Sequence, residues 1–247
     1  MNDSDYNKRL FSKGIRKKFH IARFKWLGDM VAKYKMDTSK VIELGCFDGR
    51  SIEYLNPKPL TYAGYDANWE NGLDIAKAKY SSNKEFVFYE CNSPHQFNEN
   101  GELYTLAISL ETLEHIPVED LDDYLKKISI CLNGYFIVTV PNEKGVLFLI
   151  KYILKRFFYG GHENYSISEL INATLGRMKY VERNQHKGFD YAALRSHLKK
   201  YFELIDEQGI PFSYLPLWMN TQVGFVLKSS HSPQLMKPPC EPSKRRL

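Results

Sequence analysis

From Lys40 onward, short apolar runs alternate with amphipathic segments. Val41–Leu44, Thr61–Tyr65 and Phe86–Tyr89 have the length and β-branched or aromatic character of buried strands. The stretches between them, near Arg50–Leu55 and over Trp69–Tyr80, have helical spacing. Leu106–Leu110 is a fourth strand-like run. Leu121, Tyr124, Leu125, Ile128 and Leu132 then recur at three- and four-residue intervals, in a helix that starts after Pro117 with Glu119 and Asp120 favouring its N-terminal dipole. Tyr135–Val140 ends at Pro141 and predicts a fifth strand. Strands and helices alternating in this order predict an α/β fold with a mostly parallel, doubly wound sheet, whose ligand lies beyond the C-terminal ends of the strands.

The flanks depart from that rhythm. Ile15–Tyr34 reads as a helix ahead of the first strand, so residues 1–39 form an N-terminal helical cap. After Pro141, VLFLIKYILKRFFY is apolar round most of its circumference, with Lys151 and Lys155 on one face. SISELINATLG follows with a capping box, Ser166 and Glu169, and a terminating Gly176. Residues 142–188 are therefore a helical insertion within a main domain of residues 40–228. Asp190 caps a further helix whose apolar face is Tyr191, Leu194, Leu198 and Tyr201, and Phe202–Asp206 and Gln222–Leu227 are two late strands. The proline-rich basic tail, residues 229–247, has no periodicity and reads as disordered.

The formal charge of +5 is concentrated at the ends, with eight Lys/Arg against two Asp in Met1–Gly28, so the centre is mildly acidic, which argues against a nucleic-acid groove. The basic stretch RKKFHIARFK reads as a solvated helix face. Cys46, Cys91, Cys131 and Cys240 form no CxxC pair, which fits a reducing compartment and no structural zinc. No apolar run reaches the ~20 residues of a bilayer span, so the expected location is cytoplasmic, with peripheral membrane contact through the Phe148–Tyr159 stretch left open.

The chemistry gathers at the predicted strand ends. In VIELGCFDGRS, a buried strand ends in Glu43 and turns at Gly45 and Gly49, with Cys46 and Phe47 between them. This spacing is not the G-x-G-x-x-G of a pyrophosphate site, and Glu43 favours a cationic ligand over phosphate. Asp66, with Ala67 next to it, ends the second strand 23 residues later, where a carboxylate can accept both hydroxyls of a ribose. Glu90, with Cys91 and Asn92, ends the third, placed to accept from an adenine amino group.

ELGCFDG, YAGYDAN, FVFYECN and SLETLEHIP, in this order, resemble the class I S-adenosylmethionine-dependent methyltransferase family over roughly Lys40–Pro141. The resemblance implies a Rossmann-like seven-stranded sheet with a reversed last strand, matching five strands plus two late ones. It implies S-adenosylmethionine as cofactor, held by Glu43, Gly45, Cys46, Phe47 and Gly49 near the methionine part. Asp66 and Ala67 fall at the ribose, Glu90, Cys91 and Asn92 at the adenine, and Leu110 and Glu111 between cofactor and acceptor. Phe47 stands where the family usually has glycine, Thr105 where many relatives have an acid, and Glu90 where Asp is commoner.

Each of these residues also has a plainer reading: Glu43 and Asp66 as local caps, Glu90 as an exposed acid, Glu114 and His115 as holders of the next helix. The insertion lies where the family often builds its acceptor site, which makes His186 a candidate catalytic group; Glu111 and His115, in the segment that by resemblance faces both cofactor and acceptor, are the other two. No compact set of metal ligands is evident. The expected reaction is methyl transfer to a hydroxyl of a small molecule or glycan, since SLETLEH differs from the NPP[YF]-type stretch of adenine amino-methylating relatives. Methylation of RNA or protein and a non-catalytic cofactor-binding module are the alternatives. The sequence carries no signal of oligomeric state.

Overall fold

The computed structural model of the chain describes residues 15–97, 101–159, 165–184 and 187–230. Seven strands form one sheet: β1 (Lys40–Leu44), β2 (Thr61–Asp66), β3 (Phe86–Glu90), β4 (Tyr104–Leu110), β5 (Leu132–Pro141), β6 (Phe202–Ile210) and β7 (Gln222–Ser229). Their order is β3-β2-β1-β4-β5-β7-β6. The first five are mutually parallel, and β7 runs antiparallel to both β5 and β6. This is the Rossmann-like sheet with a reversed last strand. β1 is central, paired with β2 on one side and β4 on the other, so the strand order reverses beside it and a crevice opens at its C-terminal end.

Helices cover both faces because successive residues of each strand point to opposite sides. Val41, Tyr62, Leu106, Ile108 and Ile137 pack with Leu27, Met30 and Val31 of α1 (Ile15–Lys33) and Leu73 and Ala76 of α2 (Gly72–Lys79). Ile42, Ala63, Ala107, Phe136 and Val138 face the other way. They meet Leu121, Leu125 and Ile128 of α3 (Val118–Cys131) and Leu194 and Leu198 of α6 (Tyr191–Tyr201). The first helix thus lies flat on one sheet face. Thr105 pins β4 to β1 by bonding both Lys40 N and Lys40 O at 3.1 Å.

The insertion contains α4 (Val146–Tyr159) and α5 (Ile167–Thr174) around a small core of Phe148, Tyr152, Tyr165, Ala173, Met178 and Val181. The expected capping box is present, with Ser166 N donating to Glu169 Oε2 at 2.8 Å and Glu169 N to Ser166 Oγ at 3.2 Å. Asp190 caps α6 through Ala192 N.

Several elements differ from expectation: the segment near Arg50–Leu55 is a short 3-10 helix, and Leu132, expected on the helix after Pro117, is the first residue of β5, which therefore starts ahead of Tyr135. The helix expected over Trp69–Tyr80 begins only at Gly72, after a short 3-10 turn at Trp69–Asn71 in which Glu70 and Asn71, like Asn68 before it, have positive φ. Asn tolerates that region well and Glu poorly, so the spacing alone does not reveal the turn. β6 runs on to Ile210 beyond the expected Asp206, since its ladder with β7 continues past a register shift between Leu204 and Asp206. The proposed tail, apart from Ser229 and Ser230, lies outside the described residues.

Candidate cofactor and acceptor site

The turn after β1 is tied to β2. Gly45 N and Cys46 N donate to Tyr65 O at 2.7 and 3.2 Å, and Phe47 N donates to Asp66 Oδ2 at 2.9 Å. Gly45 has φ 81, and a Cβ there would meet the Thr112 side chain, so glycine is required where this turn meets the segment after β4. Phe47 itself has φ 45. Its ring lies over Gly72, where any Cβ would stand 2.2 Å from the ring, and tilts against Trp69. The aromatic ring in place of the usual glycine is thus accommodated by a glycine at the start of α2.

Glu43 lies beneath this turn. It is only 2% exposed and accepts hydrogen bonds from Ser51 Oγ and Tyr62 OH. Burial pushes its pKa up to about 8 against those two bonds, with Asp48 and Asp66 adding repulsion. A carboxyl so enclosed braces the turn from inside. Cys46 is also buried, with its thiol pushed well above its ordinary range by burial and by the nearby Glu43 and Asp66.

Asp66 is different. Its two oxygens accept from Phe47 N and from Asn68 N at 2.9 and 2.8 Å, yet the residue stays partly exposed at the crevice. Burial raises its pKa, and the amides of Phe47, Asn68 and Trp69 oppose that rise. An ionised carboxylate has about four acceptor positions, so this one keeps capacity for ligand hydroxyls. Parallel register places Asp66 beside Glu90 at the end of β3. Glu90 is exposed and accepts from Asn92 Nδ2 at 3.2 Å, and Ala67 and Asn92 are exposed as well. Cys91 is buried, its amide donating to Asp66 O at 2.8 Å.

The end of β4 holds a second polar group. Leu110 is buried, and Glu111 follows with φ 56, its amide fixed to Thr139 O at 2.8 Å. A left-handed Glu is uncommon and signals a constrained position. Glu114, three residues on, is 1% exposed, and neither of its carboxylate oxygens has a hydrogen-bond partner; Glu111 Oε1 also lacks one. Burial raises the pKa of both: for Glu114 the charge of Glu111 adds to it, and for Glu111 the charge of Arg23 and a bond from Gln222 oppose it. Nearby, Lys151 pairs with Glu143 at 2.6 Å, and Arg183 donates to the Glu114 backbone carbonyl at 2.6 Å.

Arg23 is a correction to the solvated-face reading of the first helix. Lys17, Lys18 and Lys25 are exposed, but Arg23 is 6% exposed, and its Nε has no partner. The acids of ETLEH are visible in the sequence, and Lys151 is visible only as one of two lysines on a helix face; Arg23, Glu143 and Gln222 carry no sequence signal of a place here. His115 is exposed, with Nε2 3.8 Å from Glu114 Oε1. His186 lies outside the described residues.

The model of a family described as "Methyltransferase domain" matches residues 18–201. The chain belongs to this methyltransferase family. It is a class I methyltransferase, and the cofactor of that class is S-adenosylmethionine. No curated protein matches the sequence significantly. Among solved structures, the fold is similar to an S-adenosylmethionine-dependent methyltransferase from Clostridium acetobutylicum, with 15% identity over 90% of this chain and 95% of that one and a TM-score of 0.59. It is also similar to the N-methyltransferase NodS of Bradyrhizobium japonicum in complex with S-adenosyl-l-homocysteine, with 11% identity over 93% and 94% and a TM-score of 0.58. Magnesium protoporphyrin IX methyltransferase from Synechocystis, with S-adenosyl-l-homocysteine bound, shares 15% identity over 91% and 94% with a TM-score of 0.54. The acceptors named for these proteins differ, so the methyltransferase class does not fix the acceptor of this chain.

Proposed function

We propose that this methyltransferase acts on a hydroxyl of a small molecule or glycan, bound where β4 and β5 end and β7 begins. The residues suit the cofactor at the crevice beside β1. Asp66 has spare acceptor capacity for the ribose hydroxyls, and the exposed indole of Trp69 offers a flat apolar face to the nucleoside. Glu90, with Cys91 and Asn92, borders the adenine end. Gly45, Cys46, Phe47 and Gly49 supply the backbone of the methionine end, with Glu43 supporting them from below.

The bound cofactor supplies an electrophilic methyl group on a good leaving group, so the protein contributes mainly by orienting the acceptor for in-line attack. The observation that carries the acceptor assignment is the buried Glu114 beside the half-buried Glu111, with unpartnered carboxylate oxygens at the end of the strand next to β1. When a hydroxyl is methylated, its O–H bond breaks as the O–C bond forms, and the proton must leave. A carboxylate whose pKa is raised by burial and by a neighbouring acid is, when ionised, a stronger base than an ordinary carboxylate and can accept that proton. His115, exposed beside Glu114, offers an onward path for that proton to water.

The test combines calorimetry with S-adenosylmethionine and S-adenosylhomocysteine with turnover of methyl-labelled cofactor in fractionated cell extract. Binding of both nucleosides and label in a base-stable ether of a small molecule or glycan are expected. Label in RNA or protein would overturn the acceptor class, and cofactor binding with no transfer to any fraction would favour a non-catalytic module.

A further inference from the structure

The insertion exposes more apolar surface than its own small core needs. Along α4, Val146, Ile150, Ile153, Leu154 and Phe157 recur at three- and four-residue spacing, and all are exposed, Phe157 to 83%. Phe148 and Tyr152, on the other side, pack inward. α5 repeats the arrangement, with Ile167, Ile171 and Leu175 four residues apart and exposed, Ile167 to 79%, while Ala173 faces in. The two helices touch, and Gly145 at the start of α4 lies against the exposed Trp218. Clustered exposed apolar side chains of this kind mark a contact surface.

Among the described residues, cations outnumber acids around this face, where Glu182 is exposed beside α5. The only acid within α4 and α5 is Glu169, and it is engaged by Lys187 at 2.7 Å and by its own capping box. Arg156 in the last turn of α4, and Arg177 and Lys179 just past α5, are exposed. Apolar stripes bordered by cations complement a hydrocarbon layer beneath anionic headgroups. A second copy docked on the same face through a two-fold axis would instead bring these cations towards their own equivalents. Nor can the helix span: its 14 residues cover about 21 Å, against a hydrocarbon thickness of about 30 Å. Among the described residues, no helix is long and apolar enough to cross a membrane.

We propose that the exposed face of α4 and α5 docks on an anionic lipid bilayer, lying in the headgroup plane with Leu154, Phe157 and Ile171 in the acyl boundary. The docking stands apart from cofactor binding, because none of these side chains is among the residues assigned to the cofactor crevice.

The full chain is sedimented with vesicles of phosphatidylcholine alone and of phosphatidylcholine mixed with phosphatidylglycerol. Binding to the anionic vesicles, weakened by salt, is expected. The double variant Phe157→Asp with Ile171→Asp should lower that binding by about tenfold or more while leaving cofactor affinity unchanged. Failure to bind anionic vesicles overturns the proposal, as does equal binding to neutral ones or equal binding by the variant. A dimer that the double variant abolishes, without any vesicle binding, also overturns it and assigns the face to a second copy. An unaltered cofactor titration keeps any of these failures separate from a failure of the methyltransferase assignment.

Discussion

Asp66 at the end of β2 holds the Phe47 amide of the turn after β1 at 2.9 Å. One carboxylate therefore shapes the loop and faces the crevice, and removing it tests both roles. Asp66→Ala leaves the Phe47 and Asn68 amides without their acceptor, at a cost to stability of about 1–3 kcal/mol. Its affinity for S-adenosylmethionine should fall at least about tenfold, the loss expected from a charged acceptor on a ligand hydroxyl. Thermal melts and calorimetry on the same variant separate the two effects. A destabilised variant that binds cofactor as well as the wild type would remove Asp66 from the ribose.

Gly72 sits at the first position of α2, where Ala is normally the better helix residue by about 1 kcal/mol. Here the Phe47 ring occupies the space of a Cβ. Gly72→Ala should therefore destabilise the chain by about 1–3 kcal/mol through overpacking. Phe47→Gly, tolerated at φ 45, should cancel most of that cost in the double variant. Chemical denaturation of the four members of the cycle measures the coupling, and additive effects would show that the ring and helix start do not press on each other.

What was legible in the sequence follows from how locally it is encoded. The central parallel strands are buried on both faces, so VIEL, LAISL and FIVTV read as short apolar runs, and the caps at Ser166 and Asp190 depend on partners within three residues. Asp66 and Glu90 were placed at neighbouring strand ends because each terminates its own run. Partners distant in the chain were hidden. Nothing near Arg23 announces that it will be buried close to Glu111 and Glu114, some ninety residues on, so its local sequence groups it with the exposed lysines of its helix. Likewise, Gly72 makes room for Phe47 from the far side of a strand, and the enclosure of Glu43 depends on Ser51 and Tyr62 arriving from separate elements.

Glu43 gives stability a pH dependence of definite sign. Folding raises its pKa from 4.5 to about 8, so between those values the folded chain holds a proton that the unfolded chain has released. The stabilisation is complete below about pH 4.5 and is lost as pH rises towards 8, with a slope of at most about 1.4 kcal/mol per pH unit from this one group. Glu111 and Glu114, also raised, act in the same direction, so the wild-type curve alone does not isolate Glu43. Subtracting the curve of Glu43→Gln from that of the wild type does. A difference that stays flat across the range would mean that the carboxyl is ionised in its enclosure.

Glu114 should affect the rate more than the binding of cofactor. Glu114→Gln keeps the shape of the side chain but cannot take up a proton, and the proposed transfer should slow by about a hundredfold or more. Because the pair titrates above the ordinary carboxylate range, wild-type kcat should rise with pH through an acid limb displaced towards neutrality, and that limb should disappear in the variant. Affinity for S-adenosylmethionine should remain near the wild-type value. This pattern separates a proton acceptor from a structural acid, since a merely misfolded site would lose cofactor binding along with turnover. Wild-type kcat with an unshifted pH profile in Glu114→Gln would instead leave the proton to Glu111 or to solvent, and the two acids would then serve to shape the acceptor site.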